Sequence, residues 1–146
     1  MTNPAYNKNI FRLAHETILS SLQNIQSRAR ALPEARKYFP DLTEALNLHL
    51  ERQGDPFYPG LEAFFSEDRK ALVIITFFKK DLKEVKVAYL MFQEKYATGC
   101  PRPIDIRRFP LDLSQFFGLL RSRIIAEEEY LLPLLDIYAG PSSFPV

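Results

Sequence analysis

A spacing that occurs twice constrains this chain more than any other feature. His49, Gln53 and Pro59 recur 74 positions later as Arg123, Glu127 and Pro133. On a helix, residues i and i+4 stand side by side, about 5–6 Å apart. A histidine with an acid four residues on can therefore grip a metal from one helix face, and a later proline ends the straight stretch. Each copy keeps part of that chemistry. The first has its His but a Gln in the acid's place; the second has its Glu but an Arg in the histidine's place. The offset also pairs Leu46 with Leu120, Leu50 with Ile124, Phe57 with Leu131, Leu61 with Leu135 and Phe64 with Tyr138. Two related helix pairs are what such an offset predicts.

Four stretches carry a helical apolar period. In the first, about 6–30, Phe11, Ile18, Leu22 and Ile25 form a stripe that includes His15, and Pro33 marks the exit. In the second, about 41–65, Asp41 reads as the N-cap and Glu44 as its capping-box partner. Leu42, Leu46, His49 and Gln53 share one face there, and Gly54 and Pro56 bend or break the helix. The third, about 67–97, opens with the β-branched run ALVIITFF, but Phe78, Leu82, Val85, Tyr89 and Phe92 keep helical period. The fourth, about 111–139, takes Asp112 or Ser114 as its cap, and Phe116, Leu120, Arg123, Glu127 and Leu131 make its stripe. Between the last two, Gly99, Pro101, Pro103 and Pro110 predict an irregular crossover over 98–110. The expectation is one all-α domain over residues 1–146, an up-and-down four-helix bundle.

Composition narrows the function classes. A net charge of +1 gives no global field for nucleic acid or an acidic membrane. No apolar run reaches the roughly 18 residues of a membrane span. The opening MTNPAYNKNIF lacks the apolar core of a signal peptide, and the single Cys100 suits a reducing compartment, so the expected location is the cytoplasm. No Gly-rich phosphate loop, Cys-x2-Cys pair, nucleophile elbow or zinc-protease motif is present, and an enzyme is not expected. The two histidines, His15 and His49, are too few for any site that requires five.

Three segments resemble the hemerythrin-like, or HHE cation-binding, family: FRLAHETIL around His15, LNLHLERQGDPFYPGLEAF around His49, and LLRSRIIAEEEYLLPLLD around Glu127. The resemblance covers about residues 8–138. It implies a bundle with a His on the first helix, His-x3-Glu before a Pro on the second, a His on the third and His-x3-Glu before a Pro on the fourth, together holding a non-haem di-iron centre. Such proteins are associated with dioxygen carriage or sensing, iron homeostasis and stress protection. Position by position, His15, His49 and Glu127 match ligands. Gln53 and Arg123 stand where ligands should be. The third helix offers Asp81 or Leu82 at the expected place, with Tyr89 a weaker candidate.

Gln is a poor ligand, and Arg cannot deprotonate to bind a cation. The resemblance therefore implies a bundle that has lost its di-iron dioxygen site and acts without metal, in protein interaction or small-ligand binding. The alternative is a reduced iron or zinc site built from His15, His49, Glu127 and Asp81, in sensing or stress response. Two placements are open for Arg123: buried in the old site, paired with Glu127 and Asp81, or snorkelling to the bundle edge. Gln53 either joins such a network or caps its helix. Lys79, Lys80, Lys83 and Lys86 read as a solvated face, Arg107 and Arg108 as a weak anchor, and Cys100 as an incidental thiol. A homodimer face or a large core are both open for Phe57, Tyr58, Phe64, Phe65, Phe116 and Phe117.

Overall fold

The computed structural model describes residues 7–98 and 100–140, which are helical with short connections and contain no strand. The helix start expected at residue 6, the crossover Gly99 and the tail from Pro141 onward lie outside the described residues. The elements are α1 (Lys8–Gln26), α2 (Leu32–Arg36), α3 (Phe39–Arg52), α4 (Phe57–Phe64), α5 (Arg69–Phe92), α6 (Pro103–Ala126) and α7 (Leu132–Tyr138). A π-helical turn, Gln93–Ala97, extends α5, and a second, Glu127–Leu131, joins α6 to α7.

Local chemistry sets the ends. The Asn7 side chain accepts from Asn9 N at 2.7 Å and caps α1, whose buried stripe is Phe11, His15, Ile18, Leu22 and Ile25. The chain leaves α1 at Gln26, earlier than residue 30, and Pro33 opens α2 instead of only ending what precedes it. α3 starts at Phe39, so Asp41 lies in the first turn and is not the cap. The reason is Pro40, whose missing N–H costs nothing at a helix start. The expected bend at Gly54 and Pro56 is a full break, with Pro59 in the first turn of α4. Asp68 caps α5 by accepting from Ala71 N at 3.1 Å.

The 98–110 crossover corrects the sequence-based expectation. Helix α6 begins at Pro103 and runs through Pro110, so the second half of that span is helical. Pro103 occupies the first turn, and Asp105 accepts from the Arg102 backbone N–H at 3.1 Å. Phe109, Leu113 and Phe116 are buried, which offsets the hydrogen bond that Pro110 removes. Asp112, expected as a cap, instead accepts from the Tyr96 hydroxyl and from Lys95 Nζ at 3.0 Å.

Helix α1 packs on α3, α6 and α7, while α5 packs on α4, α6 and the second π-turn. One core runs the length of the molecule, from Phe39, Phe92, Tyr96 and Phe109 at one end to Phe57, Leu61 and Leu135 at the other. Phe57, Tyr58, Phe65 and Phe116 belong to that core and supply no dimer face; among the six aromatics Phe64 is the exposed one. Positions 74 apart also meet: Gln53 touches Glu127, and the Phe64 and Tyr138 rings lie edge to face at 5.3 Å. The repeat in sequence is thus a contact between halves in space. No helix among the described residues is long and apolar enough to cross a membrane.

Candidate functional site

The two copies of the spacing converge in the core, where α1, α3, α4, α5 and α6 meet around Glu127. Glu127 is the first residue of the π-turn after α6, and its side chain is 1% exposed. Its Oε1 lies 2.7 Å from His15 Nε2 and 2.8 Å from His49 Nε2. Its Oε2 accepts from Gln53 Nε2 at 3.0 Å and from Arg123 Nε at 2.7 Å. A carboxylate offers about four lone-pair sites, and all four are engaged.

Arg123 lies one turn before Glu127 with its head inside the bundle, which overturns the snorkelling placement. Nη1 donates to the Phe78 carbonyl and to Asp81 Oδ2, each at 3.0 Å. Nη2 donates to Gln53 Oε1 at 2.7 Å and to the Tyr58 hydroxyl at 3.0 Å. With Nε on Glu127, all five N–H donors of the guanidinium are satisfied. The Phe78 ring lies 4.8 Å beneath the cation.

Gln53 binds both charges. Its carbonyl oxygen accepts from Arg123 and from Tyr58, the latter at 2.6 Å, while its amide donates to Glu127. It also ends α3 as the C-cap, so capping and network membership coexist. His15 bridges two carboxylates, with Nδ1 2.8 Å from Glu128 Oε2. Each ring nitrogen therefore needs a proton, and the geometry is that of an imidazolium. His49 Nδ1 is the one buried side-chain polar atom without a partner among the described residues.

The charges shift one another in consistent directions. Burial pushes the Glu127 carboxyl up, but His49, His15 and Arg123 outweigh it and hold it well below its ordinary value. Burial pulls His15 down, and the hydrogen bonds and charges of Glu127 and Glu128 more than reverse this. Arg123 is likewise raised, since Glu127 and its other partners outweigh the cost of burial. Burial raises the Tyr58 hydroxyl despite the opposing charge of Arg123, so it stays a donor.

His15, His49 and Glu127 come together with ligand-type atoms all within 4.8 Å of one another. Asp81 does not join them; it faces Arg123. Leu82 is core, and Tyr89 accepts from Gln93 at 2.9 Å, outside the network. Of the acidic run, Glu127 points inward, Glu128 reaches His15 from the surface, and Glu129 is exposed. Lys79 pairs with Glu62 at 3.2 Å, and Cys100 is exposed. Tyr58, Glu128 and the Phe78 carbonyl are members that the spacing does not name. The signal for Tyr58 was available: a tyrosine beside the helix break, buried, needs a partner for its hydroxyl.

No family model, curated protein or solved structure matches this chain.

Proposed function

We propose that this chain is a divergent hemerythrin-like up-and-down bundle in which the Arg123 guanidinium takes the place of a metal ion. On this reading it works without metal or catalysis, as a protein-interaction or small-ligand-binding domain. The observation that carries it is the closure of the network. Every donor of Arg123 and every acceptor site of Glu127 is engaged within the core. A cation fixed 2.7 Å from the central carboxylate supplies the positive charge that a metal would otherwise bring. The donor set does not fit a di-iron pair: His15, His49 and Glu127 are too few, and Arg123 repels a second cation.

The second reading is a single iron or zinc ion. The proximity of the ligand-type atoms of His15, His49 and Glu127 favours it. Against it, the ion would have to displace the protons that both histidines direct at Glu127, and Asp81 is already committed to Arg123.

The test is Arg123→Leu. It takes from Glu127 one of its two cationic partners and from Asp81 its ion-pair partner, and should cost about 3–5 kcal/mol of folding stability by urea denaturation. Unchanged stability would remove the network from the account.

A further inference from the structure

The outer face of α5 carries a pattern that none of the core residues explains. Val73, Phe77, Lys80, Glu84, Val87 and Met91 are all exposed, and their steps alternate four, three, four, three, four. This is the heptad seam of a coiled coil, about 27 Å long at helical rise. It lies opposite the buried stripe of Ala71, Ile75, Phe78, Leu82, Val85 and Tyr89, so the bundle has no use for it. Val73 and Met91 are 69% and 65% exposed, and Phe77 and Val87 55% and 56%. Four large apolar side chains left out in one line mark a contact surface.

The stripe is also its own complement. Turned end for end about the level of Leu82, it places Val73 on Met91, Phe77 on Val87 and Lys80 on Glu84. One turn further out, Lys70 falls on Glu94. Both ends of the seam therefore match apolar to apolar and cation to anion. Among the described residues Lys70, Lys80, Glu84 and Glu94 have no ion pair of their own.

We propose that α5 pairs with α5 of a second copy of this chain, antiparallel, about a two-fold axis level with Leu82. An isologous contact needs a patch that complements itself, and this one does. A parallel pairing would set Lys80 on Lys80 and Glu84 on Glu84, and like charges across a seam are costly. The contact is one helix wide, so it belongs with small, reversible interfaces, and the dimer should form in the micromolar range. Lys80 and Glu84, the residues the test reverses, make no hydrogen bond or ion pair with Arg123 or Glu127, so this proposal and the core reading fail separately.

The experiment is sedimentation velocity on the intact chain from low micromolar to several hundred micromolar. The wild type should pass from monomer to dimer over that range. Lys80→Glu and Glu84→Lys should each weaken the dimer at least about tenfold, because each sets two pairs of like charges in contact. The double variant Lys80→Glu/Glu84→Lys should dimerise again, and an equimolar mixture of the two single variants should form a heterodimer. Helical circular dichroism at concentrations where the chain is monomeric should stay that of a folded chain, since both side chains are exposed. A wild type that stays monomeric would overturn the proposal. So would a dimer indifferent to either single reversal, or one that the double variant does not restore.

Discussion

Arg123 and Glu127 form the pair on which the core turns, and their coupling is measurable. Removing either alone leaves the other a buried charge short of its nearest partner; removing both leaves neither so. Arg123→Leu/Glu127→Leu should therefore cost about 1–3 kcal/mol less than the sum of the two single variants in urea denaturation. Additive costs would mean that the two side chains act independently. His15 gives the network a pH dependence with a definite sign. Its folded pKa lies above the ordinary value of 6.5, so its contribution is complete below 6.5 and is lost as pH rises through the raised value. Glu127 behaves oppositely: its contribution is present above the ordinary value of 4.5 and is lost only as pH falls through its depressed value. The urea midpoint should fall on the alkaline side of 6.5, and His15→Gln should flatten that fall. The groups facing His15 are Glu127, Glu128 and His49.

At the scale of elements, prolines decide where helices start and turn, and they also mark where a sequence is easily misread. Pro101, Pro103 and Pro110 together suggest a loop, yet Pro103 and Pro110 both lie in a helix. Proline ends a helix when it interrupts the interior, and starts one when it stands at the first turn; composition alone does not separate the two. Pro110 is an interior case, tolerated on the exposed side of α6 because Phe109 and Leu113 anchor the turns around it. Pro110→Ala should restore one backbone hydrogen bond and raise stability by about 1 kcal/mol or more. A decrease would show that the proline shapes this end of α6. Pro59 and Pro133 do what their shared position suggests, since a short helix resumes around each after a break or a π-turn. The four long helical stretches and the inward faces of His15, His49 and Glu127 were legible because helical period puts chemistry and core on one stripe. For Tyr58 only the need of its hydroxyl for a partner was legible; that the partners are Gln53 and Arg123 depends on how the chain turns between α3 and α4.

Across the whole molecule, the repeat explains why half-sites meet. Gln53 and Glu127 occupy corresponding places, 74 positions apart, and hydrogen-bond to each other at 3.0 Å. One half contributes the histidine, the other the carboxylate, and Arg123 stands where the second half's histidine would be. The same architecture leaves the outer face of α5 free to meet a second copy, so core and surface carry separate questions. On the function proposed above, the Arg123 guanidinium does a metal's electrostatic work. That role is tested most directly by elemental analysis of the purified protein after exposure to ferrous iron and to zinc, followed by dialysis. The wild type should carry no stoichiometric metal. One ion per chain, retained on dialysis and lost in His49→Ala, would contradict it.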